Sequence, residues 1–237
     1  SGKWLCNEQG EEAVEMTLLS EDMEEGYPGK LSVKVVYTLG EDDSVKINYS
    51  ATTDKTTIIN LTNHAYFNLN NKVSNNILNH YLHINADRIV ACNEALIPTG
   101  HIISIKDTPL DFTHAQTIGS RITDSFPHHL FQGKGYVVSY VLNEPAQTLS
   151  LAATVVAKES GRVMQVYTDQ PGLQFYSGWL FDGSDTGKNR QRYTNSSGLA
   201  LEAQGFPDAP NHPAFPSIVL QPDEVYRQTT VYRFLIE

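Results

Sequence analysis

The sequence lacks the features that mark secreted, membrane-bound and nucleic-acid-binding proteins. Its 237 residues hold 2 cysteines, Cys6 and Cys92, too few for a disulfide framework. A reduced, cytoplasmic setting is therefore expected, although a single bridge between them stays open. No apolar run reaches the roughly 18 residues that span a membrane, so no membrane partner is expected. A net charge of -10 argues against a nucleic-acid partner, because phosphate binding needs a basic surface.

What the sequence does contain is a pattern of alternating apolar and polar residues, with almost no helical periodicity. Alternation over 4–8 residues is typical of half-buried strands. Glycine and proline signals such as 98–100 and 171–172 predict turns between strands, and 87–94 is a candidate helical turn. The pattern predicts an all-β antiparallel sandwich or barrel, with 1–237 as one domain. The strand-like runs are 31–39, 45–51, 57–69, 81–86, 137–142, 148–156, 162–168, 173–177, 218–220 and 229–235.

A carboxylate, Glu202, lies in a strand-like stretch that leads into a loop rich in proline and glycine. Alternation sends Leu201 and Ala203 to one face of this stretch, and Glu202 and Gln204 to the other. Carboxylates rarely lie in a strand of a globular core unless they are paired or used. The polar face therefore suggests a small-molecule cleft. An edge strand with a solvated outer face explains the same alternation equally well.

Two further runs place polar and aromatic side chains on one face. Such a set offers the convergent donors, acceptors and rings with which a protein binds sugar hydroxyls and covers a pyranose face. Taken alone, the histidine of the first run is more simply explained as a structural residue bonded to a backbone carbonyl. The residues that share a face are Thr62, His64, Tyr66 and Asn68 in 61–69, and Gln174 and Tyr176 in 173–176.

Several specific motifs occur in order along almost the whole chain. They are Asn-Leu-Thr-Asn-His-Ala-Tyr-Phe-Asn-Leu at 60–69, Ile-Pro-Thr-Gly at 97–100, Thr-Pro-Leu-Asp-Phe at 108–112, and the runs 165–178, 201–213 and 215–234. In this combination the chain resembles the aldose 1-epimerase family. The resemblance implies a large antiparallel β-sandwich of the galactose mutarotase-like supersandwich type, with a sugar bound on a concave face. About a hundred residues of the family would precede Ser1, so the sandwich is expected to be incomplete at its N-terminal side.

The resemblance also implies roles for three residues. By position, Glu202 is the general base and His64 the general acid of a reaction that interconverts α and β anomers of galactose or glucose. An ordinary histidine pKa of about 6.5 suits an acid near neutral pH. Gln174 is the glutamine that bonds a ring hydroxyl. The expected partner is an aldohexose, and no metal or other cofactor is expected.

Two departures from the family bear on activity. The chain reads Val137-Val138 where the family has Asp-His, and an isopropyl group in place of a hydroxyl acceptor costs about 1–3 kcal/mol per lost bond. The family's Leu-His-Gly-Gly motif, which carries a second active-site histidine, and its substrate-binding arginine are not found. Three hypotheses stay open: an active epimerase, a non-catalytic sugar-binding relative, and a truncated product that folds poorly or only with a partner.

Overall fold

The computed structural model describes residues 2–6, 12–70, 76–122, 135–187 and 190–237. Within these ranges sixteen strands form, and every pairing between them is antiparallel. The same ranges contain no helix long and apolar enough to cross a membrane. The strands are β1 (Gly2–Cys6), β2 (Glu12–Ser20), β3 (Leu31–Gly40), β4 (Ser44–Thr53), β5 (Thr57–Ile58), β6 (Tyr81–Ile84), β7 (Arg88–Cys92), β8 (Pro98–Ser104), β9 (Gln116–Thr117), β10 (Val137–Val141), β11 (Ser150–Ala157), β12 (Arg162–Thr168), β13 (Gly172–Tyr176), β14 (Ala200–Gln204), β15 (Val219–Leu220) and β16 (Tyr226–Ile236). Short 3-10 turns occur at Glu24–Gly26, Ile118–Arg121 and Ala209–Asn211.

Two large sheets form a sandwich around one main core. The first sheet has the strand order β1-β2-β3-β4-β16-β12-β11-β6-β9, and the second has the order β14-β13-β10-β7-β8. The core lies between them because alternate residues of each sheet are apolar and point inward. The first sheet contributes Ile47, Leu82, Ile84, Val155, Met164 and Val166, and the second contributes Val138, Tyr140, Leu173, Phe175 and Leu201. On the other face of the second sheet, Val90 and Val141 pack in a smaller apolar cluster with Phe206 and Phe215, and the rest of that face can carry polar groups.

The all-β antiparallel sandwich predicted from alternation is confirmed. The runs that the alternation identified contain strands whose ends differ by a few residues, namely β3, β4, β6, β10, β11, β12, β13, β15 and β16, and β5 occupies only the start of the run 57–69. The predicted helical turn at 87–94 is wrong, because Ile89 and Val90 are buried in strand β7. The predicted turn at 98–100 is also wrong, because Pro98 begins β8. The chain reverses at 93–97 instead, where the Asn93 carboxamide oxygen accepts bonds from the amides of Ala95 and Ile97.

Candidate active site

Three polar residues lie in line across the outer face of the second sheet. The register pairs Glu202 on β14 with Gln174 on β13, and Gln174 with Ser139 on β10. Their neighbours along each strand enter the core, so these three side chains point to the opposite side. The polar faces that alternation predicted separately for β13 and β14 are therefore one continuous face.

The run 60–69 brings His64 to this face without being a strand. Strand β5 ends at Ile58, so the predicted strand over 57–69 is wrong beyond that residue. The amide of Ala65 bonds the Asn63 carboxamide oxygen (3.1 Å), a local bond that replaces a ladder partner. The run is nevertheless extended and lies antiparallel beside β14.

Side chains supply most of the described bonds between this run and the segment made of β14 and its flanking residues Leu199 and Gly205. Asn60 binds Gly205 twice, through a bond from its Nδ2 to the glycine oxygen (3.1 Å) and one from the glycine amide to its Oδ1 (2.8 Å). Thr62 Oγ1 donates to the Ala203 oxygen at 3.0 Å. Phe67 and Leu199 exchange two backbone bonds of 2.8 and 2.9 Å. These contacts fix the position of His64 along the edge of β14.

Glu202 and His64 form a close pair at this edge. Oε1 of Glu202 lies 3.3 Å from Nε2 of His64, and the two side chains are 9% and 48% exposed respectively. Burial raises the pKa of the Glu202 carboxyl group, and the positive charge of a protonated His64 opposes that rise. A buried carboxylate thus faces an imidazole that is open to solvent. The pair is suited to accepting one proton and donating another on the same ligand.

Two tyrosines stand beside the pair. The ring of Tyr66 lies 4.8 Å from the His64 ring between centroids, and the ring of Tyr176 lies 6.4 Å from it. The two tyrosine rings are 6.1 Å apart and nearly perpendicular, at 69°. Tyr176 is held by the amide of Leu180, which donates to its hydroxyl at 3.0 Å. Aromatic walls of this kind cover the apolar face of a sugar ring.

The two valines that depart from the family pattern face opposite ways. Val137 pairs with Tyr176 and shares the outer face with Ser139, whereas Val138 is fully buried in the core. Only Val137 therefore lies on the face that carries Glu202 and Gln174. The alternation of β10 already contains this distinction, and Val137 is the position at which the family pattern has the hydroxyl acceptor.

Ser139 was missed by the sequence reasoning. Its side chain is 4% exposed, and its Oγ has no hydrogen-bond partner within the described part of the chain. The signal that identifies it is its two-residue spacing from Val137, which places both on the outer face.

The described ranges contain no cluster of three or more histidine, cysteine, aspartate or glutamate side chains that could hold a metal ion.

Comparison with known proteins identifies the family of this chain. A family model described as aldose 1-epimerase matches residues 1–233. The chain belongs to the aldose 1-epimerase family. The second sheet, with its in-line Glu202 and Gln174, is therefore the part of an aldose 1-epimerase fold that carries the candidate site.

Curated relatives in the family share a substantial part of the sequence. Galactose mutarotase of Bos taurus is 41% identical over 223 residues, which are 94% of this chain and 63% of the bovine protein. Aldose 1-epimerase of Escherichia coli K12 is 36% identical over 238 residues, covering 99% of this chain and 67% of the bacterial one. This aldose 1-epimerase family member thus spans somewhat less than two thirds of the length of the mammalian relatives it matches.

Solved structures agree with this assignment. Galactose 1-epimerase from Lactobacillus acidophilus superposes with a TM-score of 0.85 at 26% identity, covering 99% of this chain and 66% of that one. The aldose epimerase homologue from C. elegans superposes with a TM-score of 0.84 at 26% identity, covering 99% and 68%. The sandwich predicted from the motifs is thus confirmed as the family fold.

Proposed function

We propose that this protein interconverts the α and β anomers of an aldohexose such as galactose or glucose. The observation that carries the proposal is the 3.3 Å approach of Glu202 to His64 on the polar outer face of the second sheet. The family membership and the names of the relatives support the same reaction class.

The mechanism needs only two proton transfers. Glu202 accepts the proton of the hydroxyl on C1, while protonated His64 donates a proton to the ring oxygen O5. The electron pair of the C1–O5 bond goes to O5, and C1 becomes the aldehyde of the open chain. Rotation about C1–C2 presents the other face of the aldehyde, and the two residues then run the steps in reverse. Each transfer contributes about 10²–10⁴ to the rate.

The environments of the two groups suit this division of labour. The burial that raises the pKa of Glu202 makes its carboxylate a stronger base towards a hydroxyl. His64 is half exposed, and it recovers its proton from the O5 hydroxyl when the ring closes, so the cycle needs no net proton from solvent. Two differently exposed groups in contact are a recurrent arrangement for paired acid–base chemistry.

Substrate binding rests on three neighbours of the pair. Gln174 lies next to Glu202 in register and would bond a ring hydroxyl. Tyr66 and Tyr176 would cover the apolar side of the ring. Val137 provides no acceptor on this face, so we expect weak affinity for the sugar. The same valine favours the second candidate function, a non-catalytic sugar-binding protein.

The deciding experiment follows freshly dissolved α-galactose to anomeric equilibrium by polarimetry. We expect the protein to exceed buffer, and Glu202→Gln or His64→Gln to lose at least about 10²-fold of the acceleration. Glu94→Gln, at an exposed position in the 93–97 turn, is the matched control and should keep it. If the folded protein binds galactose without acceleration, the catalytic proposal fails and the sugar-binding function replaces it.

A further inference from the structure

Two buried polar side chains of β16 reach the free edge of β14 through the core. Gln228 is 1% exposed and Tyr232 is 3% exposed. The Gln228 Nε2 donates to the Ala203 oxygen at 2.9 Å, and the Tyr232 hydroxyl donates to the Leu201 oxygen at 3.1 Å. Leu201 and Ala203 are the residues on either side of Glu202. Because β14 is the end strand of the second sheet, carbonyl groups on its free edge need partners from outside the ladder, and these two side chains supply them.

The Gln228 carboxamide has a fixed orientation. A carbonyl oxygen only accepts hydrogen bonds, so the Nε2 group must face Ala203 and the Oε1 atom must face the other way. There the Tyr226 hydroxyl donates to Oε1. Burial raises the pKa of Tyr226 to about 12, and the Leu61 amide beside the hydroxyl opposes the rise. Tyr226 therefore keeps its proton near neutral pH and holds the donor of Gln228 towards β14.

Tyr232 also keeps its proton. Burial raises the pKa of its hydroxyl, and the negative charge of Glu202 adds to that rise. The hydroxyl is thus close enough to be affected by the carboxylate, but it bonds the backbone next to Glu202. The Tyr232 ring lies 4.9 Å from the Phe67 ring between centroids, so this side chain contacts the run 60–69 as well.

The Ala203 oxygen is a shared anchor for the segments that carry Glu202 and His64. It accepts a second bond from Thr62 Oγ1 at 3.0 Å, and Thr62 lies two residues before His64. A carbonyl oxygen has two lone pairs, and both are used here. Gln228 therefore fixes an atom on which the positions of both side chains depend.

We propose that Gln228 and Tyr232 are positioning residues, which hold Glu202 at its distance from His64 through the carbonyl groups of Leu201 and Ala203. Both are buried in the core, so neither contacts a ligand on the outer face. The inference rests on the proposed function, because it concerns the geometry of that reaction. Proton transfer needs heavy atoms within about 2.6–3.2 Å of each other, and a misplacement of about 1 Å can cost about 10²-fold in rate.

The first test compares two conservative substitutions of buried tyrosines. Tyr232→Phe keeps the ring beside Phe67 and removes one bond to a backbone carbonyl. Tyr140→Phe is the matched control, because the Tyr140 hydroxyl is also buried and donates to the Leu110 oxygen at 2.8 Å. Tyr232→Phe should lower kcat for galactose mutarotation about 5- to 20-fold and leave KM within about twofold. Equal kcat values in the two variants, or a loss that appears in KM alone, overturn the role of Tyr232.

Gln228 is tested together with the residue that orients it. Gln228→Leu combined with Tyr226→Phe removes a donor and its partner at once, which limits the cost to stability. This double variant should lower kcat by a similar factor, with KM unchanged. An unaltered kcat in the folded double variant overturns the role of Gln228. If the double variant does not fold, the milder Tyr232→Phe decides the proposal.

A titration separates the positioning role from the reaction. The NMR signals of the His64 ring sense the ionisation of Glu202 at 3.3 Å, whether or not the protein is an enzyme. If β14 moves, Glu202 gains solvent, and its pKa should fall towards the ordinary value of 4.5 in Tyr232→Phe but not in Tyr140→Phe.

Each outcome of the titration has a distinct meaning. That shift, in a protein that does not turn over galactose, supports the positioning role and rejects the proposed reaction. Galactose turnover, with equal kcat and equal Glu202 pKa in Tyr232→Phe and Tyr140→Phe, supports the reaction and overturns the positioning role. The absence of both turnover and shift overturns both.

Discussion

Glu202 and His64 are in contact, with 3.3 Å between Oε1 of the carboxylate and Nε2 of the imidazole, but they are held by different kinds of structure. Glu202 belongs to a strand paired with β13 at five positions. His64 belongs to a run held beside that strand largely by asparagine and threonine side chains. The position of Glu202 is therefore set by the sheet, and the position of His64 is set by side-chain contacts to it.

The raised pKa of Glu202 predicts the acid limb of the activity profile. As the proposed base, Glu202 works only when ionised, so kcat/KM should fall with falling pH around a midpoint above the ordinary glutamate value of 4.5. Because His64 contacts Glu202, the midpoint belongs to the pair and not to one residue. Polarimetry over the acid range measures it. A midpoint at or below the ordinary value contradicts the burial argument.

The same burial predicts that the Glu202 carboxylate destabilises the fold. A raised pKa means that the native protein binds this proton more tightly than the unfolded chain, so stability falls as pH rises through the shifted range. Glu202→Gln should therefore raise the free energy of unfolding near neutral pH by about 0.5–2 kcal/mol. The gain should vanish once the pH is below the ordinary glutamate pKa. Urea unfolding at both pH values, with Glu94→Gln as the control, decides the matter.

Val137 and Val138 offer a matched pair of substitutions. Val137→Asp places an acceptor on the outer face, and one added bond to a sugar hydroxyl should lower the KM for galactose about tenfold. Val138→Asp buries the same charge in the core and should prevent folding. Circular dichroism and polarimetry distinguish the two. An unchanged or higher KM for galactose in a folded Val137→Asp protein would contradict a sugar position beside Val137.

The bonds of Asn60 lead to a prediction about how the contacts between its run and β14 affect stability and kcat. Asn60→Ala removes two bonds and leaves the buried Gly205 amide unpaired, which should cost about 1–3 kcal/mol of stability. Asn60→Ala should also lower kcat, because His64 would no longer be held at a fixed position along β14. Asn48→Ala is the control, since it removes one side-chain bond to Thr229 far from the pair. A kcat loss no larger than in Asn48→Ala would contradict the positioning role.

His80 predicts a pH-dependent loss of stability outside the site. It is fully buried and accepts a bond from the Leu69 amide at 3.0 Å, and burial lowers its pKa to about 4. The unfolded chain keeps the ordinary value of about 6.5, so it binds more protons between the two values. Stability should be complete above pH about 6.5 and fall by at most about 3 kcal/mol as the pH approaches 4. His80→Gln should flatten this slope, whereas His101→Gln at an exposed position should not.

Alternation in the sequence was enough to predict most strands and the direction of Glu202 and Gln174. It could not predict that these two are neighbours, because that depends on the register between β13 and β14. Alternation also predicted a strand over 57–69. It shows which side chains of an extended chain share a face, but it does not show whether the backbone is hydrogen-bonded to a neighbouring strand. Residues 89–91 are a short apolar run, for which period alone does not separate helix from strand. The roles of Glu202, His64 and Gln174 came from the family motifs, and they stay predictions until the variants are measured.

Because side-chain bonds hold 60–68 beside the sheet, this segment and the sheet should respond differently to heating. A segment tied by a few side-chain bonds opens at a lower free energy than a strand inside a ladder, so amide hydrogen exchange should be faster at His64 than at Glu202. Warming should then detach His64 from Glu202 while the sheet and its far-ultraviolet circular dichroism remain intact. Catalysis would fail first, reversibly, several degrees before the protein melts.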